Sequence, residues 1–204
     1  MLEDPAFAGL AWPNIEKAID FVVEFERGAR GGIEHIFVER QGAIDIALVD
    51  ESAFRLTARA DRIDSLRDGG ARIIDYKSGS PPSRKQVKNG LVPQLTLEAA
   101  ILMHGGFEGV EAMAPAEAIY LKLGGANGGR EAHAAGADAD VAKLAKEHLA
   151  ELKDLLDQFA SPETPYLSRP IAEFASRFAE YDHLARVKEW SLTGGVSDEG
   201  GEGA

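Results

Sequence analysis

The sequence predicts an α/β domain in which a mixed central β-sheet is flanked by α-helices. Three observations carry that prediction. Apolar residues recur with helical spacing near both ends of the chain, the stretch between alternates with strand spacing, and Gly- or Pro-marked turns separate the runs. The coarse order is helix, strands, helix, strand, helix, which packs as helices against a sheet.

Residues 13–30, PNIEKAIDFVVEFERGAR, form the first helix. Pro13 suits a first turn, and Ile15, Ala18, Ile19, Val22, Val23 and Phe25 make its apolar stripe. Gly31 and Gly32 end it. Residues 34–40, EHIFVER, alternate as a strand, and a second short run, 43–49, follows after Gly42. Residues 53–64, AFRLTARADRID, are the next strand. Phe54, Leu56, Ala58 and Ala60 point one way, and Arg55, Thr57, Arg59 and Asp61 the other. The turn at Asp68-Gly69-Gly70 and a strand at 71–77, ARIIDYK, complete a hairpin.

A loop, SGSPPSRKQVKNGLV, leads to Pro93 and a helix through about Met103. Residues 116–123 form another strand, followed by a Gly-rich loop, GGANGGREAHAAG. The longest helix covers 138–160, with Val141, Leu144, Leu149, Leu152, Leu155, Leu156 and Phe159 as its stripe. A shorter helix covers about 171–190. One domain over 1–190 and a disordered acidic tail at 191–204 account for the chain.

Composition narrows the chemistry. The 204 residues are 45% hydrophobic, enough for one ordinary core. No apolar run approaches the roughly 20 residues that span a bilayer, and the N-terminus lacks a secretory pattern; a cytoplasmic protein without a membrane partner is expected. There is no cysteine, so disulfides, thiolate zinc sites and an iron–sulfur cluster are excluded. The histidines are scattered. A metal would have to sit on oxygen ligands, which favours magnesium or manganese. The net charge of −12 disfavours a free-standing nucleic-acid binder, so any such surface must be local or lent by a partner.

The chemistry concentrates in IIDYKSG at 73–79. Residues two apart on a strand share a face, so Asp75 and Lys77 emerge side by side. The preceding strand offers Asp61, which a tight hairpin brings within roughly 5 Å of Asp75. Two carboxylates so placed repel unless a cation sits between them, and magnesium does so while keeping positions free for phosphate oxygens. A lysine beside it can orient the attacking water and offset developing charge. The D-x-K tripeptide alone favours a plainer reading, in which Asp75 and Lys77 are a surface ion pair and Asp61 opens a turn, because the tripeptide is common.

The combination of TARADRID, IIDYKSG and QLTLEAA resembles the RecB-like branch of the PD-(D/E)XK nucleases. That resemblance implies a restriction-endonuclease-like core, with Asp61, Asp75, Lys77 and Gln94 as catalytic residues. It implies Glu39, Asp61, Asp75 and Tyr76 as holders of Mg2+ or Mn2+. The stretches DYKSGSPPSRKQVKNGLVPQLTLEAAIL and YDHLARVKEW are similar to the C-terminal nuclease domain of the alphaproteobacterial AddB family. They imply a DNA exonuclease of double-strand break repair, acting on single strands beside an AddA-type helicase subunit. Three departures stand out. Ala58 replaces the family's glycine, Glu98 replaces the tyrosine of Q-L-x-x-Y, and no histidine precedes His35, which falls on a strand and is taken as structural.

Arg84, Lys85 and Lys88 form a local positive patch after Lys77, suited to phosphate contact or simply solvated. Gln94 could hold a phosphate or a metal-bound water, or cap its helix. Glu24 and Glu26 are expected on a solvated helix face, and Trp12, Trp190 and the phenylalanines in the core. The glycines of GGANGG lack the Lys-Ser/Thr of a phosphate loop, and no G-x-S-x-G is present. Two functions remain: a metal-dependent deoxyribonuclease, or a nuclease fold that has lost activity and serves DNA handling or subunit docking. The chain is also expected to be a fragment or relic of a longer helicase-associated protein.

Overall fold

The computed structural model describes residues 12–165. One unit runs through Ala160 and a second begins at Ser161. The predicted helix at 171–190, the tail at 191–204, Trp190 and YDHLARVKEW lie outside the described residues.

Helix α1 spans Trp12–Ala29, and a short 3-10 turn at Arg30–Gly32 leads into β1, Ile33–Ala47. Strands β2, Ala53–Leu66, and β3, Gly70–Lys77, follow. Asp68 Oδ1 closes the turn between them by accepting from the Gly70 N–H at 3.1 Å. Helices α2, Arg84–Lys88, and α3, Gln94–Met103, precede β4, Ala114–Leu123. Strand β5, Gly129–His133, and helix α4, Val141–Ala160, complete the unit. The strands form one mixed sheet in the order β1-β2-β3-β4-β5, antiparallel except for the parallel pair β3–β4. The predicted fold class is the observed one: a mixed central sheet with flanking helices.

The parallel pair decides where the chemistry sits. Parallel neighbours require a crossover, and α2 with α3 supplies it. Because α3 returns against the direction of β3, its first residue, Gln94, lies near the strand's last residue, Lys77; the two side chains are 3.2 Å apart. Helix α3 is buried along most of its length. Leu95, Ala99 and Leu102 pack with Ile63, Ala71 and Ile73 of the sheet. The central strands are buried on both faces, since Ile73, Ile74, Ile119, Tyr120 and Leu121 are all inaccessible.

Several expectations change. The runs at 34–40 and 43–49 are one strand, because Gly42 does not interrupt β1. A Cβ there would collide with the Phe107 ring, so glycine admits a close-packed neighbour. Part of the loop after Lys77 is helical, since Ser83 and Gln86 form a capping box that starts α2. The Gly-rich loop contains β5. Gly128, at φ of 78, lets the β4–β5 turn meet the Lys17 carbonyl of α1, where a Cβ would clash. In α4 the fully buried residues are Val141, Ala145 and His148; Leu144 and Leu149 of the predicted stripe pack partly buried against the core, whereas Leu155 is half exposed. Helix α1 buries no residue fully, and Trp12 is 40% exposed rather than in the core. No described helix is long and apolar enough to cross a membrane.

Candidate active site

Pairing of β2 with β3 matches Arg62 to Ile74 and Ile63 to Ile73. One step beyond, Asp61 stands opposite Asp75. Opposed residues of paired strands share a face, and here it is the face covered by α3, because Ile73 packs against Leu95 and Ala99. Asp61 Oδ2 also accepts from the backbone N–H of Tyr76 at 3.0 Å.

The predicted faces of β2 change at this point. Ala60 and Ile63 both belong to the core beneath α3, although three residues separate them, which strict alternation forbids. The phase slips between Ala60 and Asp61, so Asp61 joins the face of Ile63. Level with Asp61 on β1, between the pairs Val38–Arg62 and Arg40–Ala60, is Glu39 with φ of 53. A non-glycine residue at positive φ marks an irregular strand. Glu39 directs its carboxylate to Arg59 at 2.7 Å, half exposed.

Asp75 is 4% exposed and is the hub of the site. Its Oδ1 accepts from Lys77 Nζ at 3.0 Å and from Gln94 Nε2 at 2.6 Å. Its Oδ2 lies 2.8 Å from Lys77 Nζ, yet off the direction of a hydrogen bond, so this buried oxygen has no hydrogen-bond partner. Gln94 Oε1 accepts from Lys77 Nζ at 3.2 Å, and Gln94 Nε2 donates again to Glu98 Oε1 at 3.2 Å. Lys77 Nζ also sits 5.8 Å from the centroid of the Tyr120 ring.

The sequence-predicted residues Asp61, Asp75, Lys77 and Gln94 thus come together at the C-terminal end of β3 and the start of α3. Glu39 is near in the sheet but engaged with Arg59. Tyr76 brings only its backbone to this face. Its hydroxyl is 3.4 Å from Arg62 Nη1 in a buried network with Asp64 and Glu26. Glu26 is therefore not a solvated residue, whereas Glu24 pairs with Arg27 in solvent as expected. Burial works against the Arg62 charge, but hydrogen bonds to Glu26, Asp64 and Tyr76 outweigh it and hold the guanidinium protonated. Arg84, Lys85 and Lys88 lie exposed on α2. His35 is exposed and stacks on Phe37.

Two residues of the site escaped sequence reasoning. Glu98, noted only for standing where the family has tyrosine, is 3% exposed and joined to Gln94. Burial pushes its carboxyl up to about 7; the Gln94 hydrogen bond opposes this, while Asp75 and Asp61 add to it and Lys77 subtracts. Its position four residues after Gln94, on the same helix face, was the available signal. Tyr120, level with Asp75 on β4, is fully buried, and burial with the nearby carboxylates Asp75 and Glu98 raises its pKa.

These groups can receive a hard cation. All potential donors are oxygens, two carboxylates face each other, and Asp75 Oδ2 is buried without a hydrogen bond. Among the described residues no three His, Cys, Asp or Glu side chains converge to hold an ion alone. Magnesium fits such a site, because it is commonly held by one or two carboxylates and completed by water and phosphate.

A family model for the PD-(D/E)XK nuclease superfamily matches residues 6–170 of this chain. An uncharacterized protein of Rickettsia conorii is 31% identical over 83 residues, 41% of this chain and 10% of that protein. One from Rickettsia bellii is 29% identical over 91 residues, 45% of this chain and 11% of that protein. The chain thus spans about a tenth of the length of these curated relatives. The crystal structure of SSO0001 aligns with a TM-score of 0.35 at 16% identity, over 67% of this chain and 58% of that one.

Proposed function

This chain belongs to the PD-(D/E)XK nuclease superfamily, and on that premise we propose that it is a Mg2+- or Mn2+-dependent deoxyribonuclease acting at Asp61, Asp75, Lys77 and Gln94. The observation that carries the proposal is the buried Asp75 carboxylate, bonded to both Lys77 and Gln94 while one oxygen remains without a hydrogen bond. A surface ion pair would be solvated at both ends; here the carboxylate end is buried, and only the Lys77 end, 32% exposed, reaches solvent.

Asp61, Asp75 and the main chain of Tyr76 would hold the ion, and Glu39 could join them only by leaving Arg59. When bound, the ion supplies Lewis acidity toward the phosphate and makes water a better nucleophile. Lys77 holds its ammonium beside Asp75, where it orients the attacking water and offsets charge gathering on the phosphate. Gln94 fixes that ammonium through Oε1. Arg84, Lys85 and Lys88 guide the DNA backbone.

The finer reading is an exonuclease domain of the AddB type, cutting single strands fed by an AddA-type helicase subunit during double-strand break repair in the cytoplasm. The sequence resemblance supports it, as does a net charge of −12, which suits a strand delivered by a partner better than one captured at equilibrium. The same charge favours a second reading, a catalytically inactive module for DNA handling or docking. Incubating the chain with single-stranded DNA and magnesium or manganese, with an EDTA control, separates the two. Metal-dependent cleavage supports the nuclease, and metal-independent binding without cleavage supports the docking module.

A further inference from the structure

The Gln94 amide can be held in two orientations that are chemical opposites, since one end donates two hydrogens and the other only accepts. Two carboxylates flank the Nε2 end, Asp75 at 2.6 Å and Glu98 at 3.2 Å. Both of its hydrogens are therefore engaged, and Oε1 is left for Lys77 Nζ. Reversing the amide would set its oxygen against two carboxylates and its nitrogen against an ammonium.

The two carboxylates are not equivalent. Asp75 is also the residue assigned to the metal ion, and a cation drawing on its oxygens competes for the electron density that holds Nε2. Glu98, as buried as Asp75 at 3% exposure, sits one helical turn behind Gln94 on the same face of α3, where it is not assigned to the metal. Its other oxygen, Oε2, is buried without a hydrogen-bond partner, so the hydrogen bond that meets this carboxylate comes from Gln94 Nε2. We propose that Glu98 is a positioning residue of the nuclease site: it locks the Gln94 amide so that Oε1 continues to hold Lys77 when Asp75 is committed to the metal. This rests on the nuclease reading for its consequence, though the amide lock itself does not.

The test compares Glu98→Ala, Glu98→Gln, Gln94→Ala and the double variant Gln94→Ala/Glu98→Ala in the full chain, each checked for folding by thermal unfolding. Nitrogen-15 NMR of the Gln94 side-chain amide, assigned by its loss in Gln94→Ala, reads the lock directly. Cleavage of single-stranded DNA reads its consequence. Glu98→Ala should shift the Gln94 amide protons and speed their exchange with solvent. It should lower kcat by roughly tenfold to a hundredfold, with KM and the metal midpoint little changed. Glu98→Gln keeps an acceptor and should recover most of that loss. The double variant should be no slower than Gln94→Ala, as coupled residues acting in one chain require. An unchanged Gln94 signal in Glu98→Ala overturns the lock. So does a Glu98→Gln as impaired as Glu98→Ala. If the wild-type chain cuts no DNA, the nuclease reading fails while the NMR comparison still decides the lock.

Discussion

Asp61 and Asp75 face each other across the β2–β3 pair, one step past the matched residues Arg62 and Ile74, and Asp61 also binds the Tyr76 N–H at 3.0 Å. Opposed residues of an antiparallel pair share a face, so Asp61 joins Asp75 and Lys77 on the side covered by α3, while the break in alternation next to it returns Ala60 to that same core.

Metal binding should depend on both carboxylates. Calorimetric titration with manganese is expected to show affinity weakened in Asp61→Ala and Asp75→Ala alike. Loss in only one variant would mean that the opposed pair does not share an ion.

Lys77 should act on rate rather than on metal affinity. Lys77→Ala is expected to slow DNA cleavage by at least about a hundredfold, the usual scale for a positioned electrostatic or acid–base group. Lys77→Arg should recover only part of it, because a guanidinium neither serves as a base nor fits the compact corner between Asp75 and Gln94. Normal turnover in Lys77→Ala would leave the lysine as a plain ion-pair partner.

The buried Glu98 carboxyl gives the metal-free protein a specific pH dependence. Its folded pKa, pushed up to about 7, exceeds the ordinary value of 4.5. The folded state therefore holds a proton that the unfolded chain releases between those limits. Its contribution is most favourable below about pH 4.5 and is lost as pH rises through 7. Glu98→Gln cannot ionise, so in EDTA it should gain stability relative to wild type between pH 5 and pH 8 in urea titrations. A constant difference across that range would mean the carboxyl does not titrate there.

Arg62 tests the opposite face of the sheet. It is 5% exposed and neutralises Asp64, which is wholly buried, together with Glu26 of α1. Arg62→Ala should cost about 3–5 kcal/mol in chemical unfolding, since it strands a buried carboxylate. Adding Asp64→Ala should return part of that loss. A single variant within 1 kcal/mol of wild type would show that water already reaches the pair.

The elements with strong periodicity were legible in the sequence: α1, the β2–β3 hairpin, α3, β4 and α4. So was the gathering of Asp61, Asp75 and Lys77, which strand parity and the hairpin dictate, while Gln94 entered through the family resemblance. What stayed hidden depends on tertiary contact. Gly42 looks like a break until Phe107 is packed against it. Strand β5 is short, at the sheet edge, and embedded among glycines. The positive φ at Glu39, which breaks the regularity of β1 beside Asp61, is encoded by no periodicity. Glu26 looks solvated on its own helix and is claimed by an arginine 36 residues away.

The decisive property of this site is hydrolysis that needs Asp75. The direct measurement is cleavage of a labelled single-stranded DNA by the wild-type chain and by Asp75→Asn, side by side, in manganese or magnesium with an EDTA control. The wild type should cut only with metal, and Asp75→Asn, similar in shape but without the charge, should show no cleavage above the EDTA background while unfolding at a similar temperature. Equal cleavage by the two proteins, or cleavage that survives EDTA, would contradict the assignment of this site as the nuclease centre.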